Sequence, residues 1–150
     1  MHYTSLTILC NERTIKQVKE SYFRLLSYLT VAPEVSTQMF IQSILKIQEQ
    51  GDIQVAYTVE DGQIFIHGTA TLLYETKMIH GCKQVGHIED VVVSPNYRDQ
   101  GIAKNLIKIL TQMACQTCYK VILDCPEELI PFYEKCHFEQ KGIHMAHYFK

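Results

Sequence analysis

"VVVSPNYRDQGIAKNLIKIL", residues 91–110, holds an apolar β-branched run, a turn and an amphipathic segment in that order. Consecutive valines favour a strand, and the Ser-Pro-Asn that follows is loop chemistry. Ile102, Leu106, Ile107, Leu110 and Met113 recur at helical spacing, so a helix is expected over residues 101–117. A glycine where a strand hands over to a helix lets a ligand come close to the backbone. The first N–H groups of a helix are unpaired and carry partial positive charge, so the small Gly101 and Ala103 would admit a phosphate there. A Walker loop is excluded, because it needs Gly-Lys-Ser/Thr and Gly101 is followed by Ile102. A Rossmann turn is excluded too, for want of three spaced glycines and a β-α-β unit. Taken alone, the stretch also fits an ordinary strand-to-helix turn.

Working outward, residues 3–10 read as a first strand. Asn11 is placed to cap a helix whose Ile15, Val18, Tyr22, Leu25, Leu26 and Leu29 share one face. Residues 30–33 break it, and a second helix over 36–49 ends at Gly51. Residues 53–59 and 64–74 read as strands around Glu60-Asp61-Gly62-Gln63, whose Asp-Gly centre specifies a hairpin. Residues 85–93 form a long strand leading into the turn. After the helix, Val121, Ile122 and Leu123 are apolar on successive positions, as in a strand covered on both faces. Residues 127–138 read as a short helix with Pro131 in its first turn, and residues 142–149 as a last strand. The order β-α-α-β-β-β-α-β-α-β makes an α/β (α+β) sandwich, one domain over 1–150.

Composition narrows the function classes. A chain of 150 residues that is 47% hydrophobic can bury a full core. Its net charge of -2 argues against nucleic acid as a partner, since phosphate neutralisation needs a basic excess. No apolar stretch approaches the roughly 20 residues that span a bilayer, and the start lacks a basic flank followed by an apolar run. A soluble, cytoplasmic protein is expected, with its six cysteines reduced. Cys115-Gln116-Thr117-Cys118 has no second pair with which to build a zinc site. It closes a helix, whereas a redox pair opens one. No metal is expected.

Arg98-x-x-Gly101-x-Ala103 resembles the Arg/Gln-x-x-Gly-x-Gly/Ala loop of the GNAT superfamily of N-acetyltransferases, again between a strand and an amphipathic helix. "GHIEDVVV", "YRDQGIAKNLI", "CYKVILDC" and "PFYEKCHF", in that order, resemble the eukaryotic-type glucosamine 6-phosphate N-acetyltransferases within it. The resemblance is clear over residues 77–149 and looser before, where "YLTVAP" carries it. It implies the GNAT fold, a mixed, mostly antiparallel twisted sheet of about six to seven strands flanked by helices. It also implies acetyl transfer from acetyl-coenzyme A to the 2-amino group of glucosamine 6-phosphate, on the route to UDP-N-acetylglucosamine. Direct attack within a ternary complex is expected.

The resemblance assigns roles. Arg98, Asp99, Gln100, Gly101, Ile102, Ala103 and Lys104 would hold the pyrophosphate of coenzyme A, largely through backbone donors. Backbone N–H groups of Val91, Val92 and Val93 would face the thioester oxygen. Tyr133 would touch the cofactor and protonate the leaving thiolate. Glu89, Asp90 and Asp124 would line the sugar site. Side chains 89 and 90 should point to opposite faces of a strand, so one would reach the site and the other hold structure. The amine would be oriented by these carboxylates and deprotonated by Asp124 or through water. Thr30, Lys77 and His80 would contact the sugar phosphate, and a homodimer would share the sugar site.

The chain also departs from that pattern. Leu129 stands where the family carries Asn, His137 where it carries Gly, and Tyr148 where an Arg reaches the sugar phosphate; Lys150 or a histidine would have to replace that Arg. Two other readings compete. One is a GNAT enzyme for another small amine or a protein amine, and Lys77 and His80 facing the acceptor oppose a polyamine. The other is a non-catalytic acetyl-coenzyme A sensor, which an intact Tyr133 and Glu89-Asp90 pair oppose.

Overall fold

The computed structural model describes residues 1–149. Its centre is a five-stranded sheet, β1 (His2–Ser5), β2 (Gly51–Glu60), β3 (Gln63–Thr76), β4 (Gln84–Val93) and β5 (Cys118–Ile122), arranged in chain order. The first four pair antiparallel; β4 and β5 are parallel. The Asp-Gly hairpin forms as its sequence specifies, with Asp61 at φ 49° and Gly62 at φ 77°.

Helices cover both faces. On one, α1 (Leu6–Leu9), α2 (Ile15–Leu26) and α3 (Thr37–Gln48) bury Val18, Tyr22, Leu25, Phe40 and Ile44 against Ile53, Val55 and Ile66 of the sheet. On the other, α4 (Ile102–Ala114) buries Ile102, Leu106, Ile107 and Leu110 against Ala70, Leu72 and Ile88, with Tyr133 of α5 (Ile130–Glu134) completing that core. A Cβ on Gly68 would lie 2.6 Å from Ile102 Cγ2, so this glycine is what lets the start of α4 sit down on β3.

The fold corrects several expectations. The first strand stops at Ser5, and residues 6–9 form a helical turn. Leu6 and Leu9 are both buried, an i, i+3 spacing that a turn of helix satisfies and an extended chain does not. Gly51 opens β2 instead of closing a helix. β5 is an edge strand: Val121 packs under α4 while Ile122 is exposed, so it is not covered on both faces. Residues 142–149 form no strand, and the sheet therefore has five strands rather than six or seven. A strand forms only by pairing, and within the one chain this segment pairs with neither open edge of the sheet.

Two irregularities shape the site. Thr69 pairs with Val92 but Thr71 with Glu89, so Ala70 alone opposes both Asp90 and Val91. Asp90 is the residue that bulges, at φ 51°. The extra residue inverts the alternation beyond it: Val91 and Val93 pack on the α4 side, and Val92 joins the opposite core. Second, β4 pairs with β5 only over residues 84–87, so residues 88–93 have no strand partner on that side among the described residues.

Candidate active site

Where β4 parts from β5, a cavity of about 450 Å³ opens, walled by Val91, Val92 and Val93. An edge without a strand partner carries backbone N–H groups free to meet a ligand. The start of α4 forms the next wall, through Arg98, Asp99, Gly101, Ile102, Ala103 and Lys104. Gly101 is the N-cap at φ 78°, a left-handed conformation costly for a side chain, and no side chain caps the first turn. No acidic residue occupies that turn either. A thirteen-residue helix thus aims uncompensated N–H groups and the positive end of its dipole into the cavity. This fits a diphosphate. Gln100 does not line the cavity; its Nε2 donates to the Asn96 carbonyl at 3.3 Å, which ties the turn to the preceding loop.

Tyr133 closes the cavity from α5. Only 6% of the residue is exposed, and its ring meets Phe132 and Phe138 edge-on. Burial, with smaller effects from Cys125 and Cys136, pushes its phenol up to about 12. A phenol so placed holds its proton at neutral pH. His137 follows in a left-handed conformation, φ 68°, just where the resembling family has Gly, and the chain turns back so that Phe138 N–H reaches the Tyr133 carbonyl at 3.0 Å.

Glu89, Asp90 and Asp124 are not among the walls of this cavity. Burial raises the Glu89 carboxyl, and Asp124 and Asp90 raise it further by like-charge repulsion, while His87 and His144 oppose them. Asp90 also lies near the Tyr22 hydroxyl of α2, a phenol pushed up to about 12 chiefly by burial. The bulge at Asp90 interrupts the strict alternation expected of this pair. Asp124 Oδ2 lies 2.9 Å from Nδ1 of His144.

The remaining predicted contacts stand apart from the cavity walls. Lys77 Nζ is bound to Glu75 Oε1 at 2.5 Å, and Glu75 Oε2 meets His87 Nε2 at 2.8 Å. Those two partners hold the Glu75 carboxyl below its ordinary range. His80, at φ 54°, lies 4.3 Å from the ring of Tyr119 on β5. Thr30 is exposed in the turn after α2, directly beyond Tyr28 and Leu29, which do line the cavity. Lys150 lies outside the described residues.

Sequence reasoning missed several walls: Tyr28, Leu29, Tyr97, Glu128 and Phe132. Tyr97 stands on His67, ring to ring at 3.8 Å, and His67 accepts the Ser94 N–H at its own carbonyl, 2.8 Å. Nothing in the local sequence connects positions 67 and 97. A wider, shallower depression of about 650 Å³ beside Tyr74, Gln84 and the end of α4 is lined only by uncharged side chains and offers no carboxylate, imidazole or cation. Among the described residues, no three or more His, Cys, Asp or Glu side chains are grouped to hold a metal ion, and no helix is long and apolar enough to cross a membrane.

A sheet that splits beside an uncapped helix start, with a buried phenol opposite, is the architecture of a coenzyme A-dependent acyltransferase. The chain belongs to the acetyltransferase (GNAT) family, whose model matches residues 17–138. It is 38% identical over 138 residues to glucosamine 6-phosphate N-acetyltransferase 1 of Dictyostelium discoideum, covering 89% of this chain and 86% of that protein. It is 36% identical over 140 residues to glucosamine 6-phosphate N-acetyltransferase of Arabidopsis thaliana, covering 90% and 92%. The crystal structure of the Arabidopsis thaliana enzyme superposes with a TM-score of 0.84 at 31% identity, over 99% of this chain and 98% of that one.

Proposed function

We propose that this chain transfers acetyl from acetyl-coenzyme A to the 2-amino group of glucosamine 6-phosphate, releasing coenzyme A and N-acetylglucosamine 6-phosphate. The observation that carries the reading is the convergence of Val91, Val92, Val93, the uncapped start of α4 and Tyr133 on one cavity. The acceptor is drawn from the relatives, which bear that activity in their names over most of this chain's length.

The first turn of α4 anchors the diphosphate, which fixes the thioester against β4 and removes most of the entropic cost of bringing two reactants together. N–H groups of residues 91–93 bond the carbonyl oxygen as negative charge develops on it. Glu89, Asp90 and Asp124 orient the amine, and the Asp124 side receives its proton. The C–N bond forms as the C–S bond breaks, and Tyr133 gives its phenolic proton to the sulfur. No step needs a metal. We place the reaction in the cytoplasm and on the route to UDP-N-acetylglucosamine; all six cysteines are free thiols, in keeping with a reducing compartment.

The acceptor site is completed by a second copy of this chain. β5 leaves an open sheet edge, and the C-terminal segment holds Ile143 at 92% and Phe149 at 90% exposure, with Met145 and Tyr148 equally bare. Apolar side chains so exposed gain most by docking on another copy. Thr30, Lys77 and His80, set away from the cavity walls, would then meet the sugar phosphate at the shared interface.

The pairing of Lys77 with Glu75 favours a second reading, acetylation of a different small amine or a protein amine, because it occupies a cation otherwise free for phosphate. A thiol-release assay with glucosamine 6-phosphate, glucosamine, spermidine and a lysine peptide separates the two. Turnover restricted to glucosamine 6-phosphate is expected; equal turnover of the unphosphorylated amines would reject the sugar-phosphate reading.

A further inference from the structure

Within the acceptor site just proposed, one side chain has a place but no role. His144 comes from the C-terminal segment, far along the chain from the strand ends that build the site. Its Nδ1 nevertheless lies 2.9 Å from Asp124 Oδ2. The same imidazole is close enough to Glu89 to act on its carboxyl, as are Asp90 and His87 of β4 and Asp124. A carboxylate on one ring nitrogen fixes the tautomer: Nδ1 carries the hydrogen toward Asp124, and Nε2 is left with its lone pair free. A carboxylate that holds an imidazole in this way also stabilises the imidazolium that forms when Nε2 takes a proton.

We propose that Asp124 and His144 act as a dyad in which Nε2 of His144 accepts the proton of the attacking amine. The inference rests on the acetyl-transfer reading above and assigns Asp124 the orienting part of the pair. The steps balance. The amine nitrogen forms its bond to the acetyl carbon, the C–S bond breaks, one N–H proton passes to Nε2, and the Tyr133 proton passes to sulfur. The imidazolium then loses its proton to water, and the phenolate regains one from water. Imidazole suits this task because it exchanges protons near neutral pH. The buried phenol across the cavity, held at about 12, cannot serve as the base.

The test is chemical rescue on the full chain. His144→Ala removes the acceptor from an exposed segment, and a matched thermal midpoint checks that folding is intact. We expect kcat to fall about a hundredfold while the acetyl-coenzyme A KM stays within about twofold. Added imidazole should restore at least tenfold of the loss, and Asp124→Asn should lower kcat without becoming rescuable by imidazole. A His144→Ala enzyme with unchanged kcat, or with a loss that imidazole does not touch, overturns the dyad. If the unmodified chain fails to release thiol with glucosamine 6-phosphate but does so with another amine, the acceptor assignment fails instead. The same rescue, run with that amine, then decides the dyad.

Discussion

Tyr133 and His137 lie four residues apart, and each has a measurable consequence. Because burial holds the Tyr133 phenol at about 12, it keeps its proton at neutral pH, as the proposed acid must. Tyr133→Phe keeps the ring and its edge-on neighbours, so kcat should fall about a hundredfold. Acetyl-coenzyme A affinity by calorimetry should be unchanged; an unchanged kcat would remove Tyr133 from the acid role. His137 sits at φ 68°, in the left-handed region that favours glycine. His137→Gly should raise stability by about 1 kcal/mol, read from denaturant midpoints, since left-handed backbone costs a non-glycine residue about that much. Glu89 supplies a third check. Like charges on Asp124 and Asp90 add to burial in raising its carboxyl, so Asp124→Asn should move the Glu89 titration down toward the ordinary carboxylate range, followed by NMR. These identities were legible as residue types at family-matched positions. Their environments were not, because burial and neighbouring charge come from segments far away in the chain.

At the level of elements, the start of α4 and the bulge in β4 divide the work. The helix was readable from its apolar spacing and from Gly101, and it formed where expected. Its open first turn predicts opposite effects on binding and stability. Ala103→Glu places a carboxylate where the dipole welcomes negative charge, so folding stability should hold or rise by about 0.5 kcal/mol. The same carboxylate repels the diphosphate, so the KM for acetyl-coenzyme A should rise at least tenfold, as stopped-time thiol assays would show. A joint fall in both would mean that the turn is merely structural. The bulge was not readable. "EDVVV" looks like continuous strand, and only the pairing of Thr69 with Val92 and Thr71 with Glu89 reveals the extra residue. Gly68 was equally silent: its purpose appears only when Ile102 Cγ2 is found 2.6 Å from where a Cβ would be.

Over the whole molecule, the C-terminal segment is where the proposed dimer and the proposed dyad are both put to the test. It reads as a strand by composition, yet has none in the single chain, where Ile143, Met145, Tyr148 and Phe149 face solvent. The full chain should sediment as a dimer at micromolar concentration, and a chain ending at Gly142 as a monomer. That truncation should also abolish turnover, since it removes His144 from Asp124. An active monomer of the full chain would refute the shared acceptor site.

The sequence by itself determined the order of the elements from α2 to α5, the Asp-Gly hairpin, the amphipathic helix after Gly101 and the motifs that mark an acetyl-coenzyme A enzyme. All of these are local: spacing, turn chemistry and short-range patterns suffice to specify them. Only the tertiary structure decided where β4 leaves β5, which carboxylates share a field, that Glu75 pairs with His87, and that His144 rests on Asp124. Those depend on strand register and on contacts between residues remote in the chain, and a one-residue bulge is enough to redirect them.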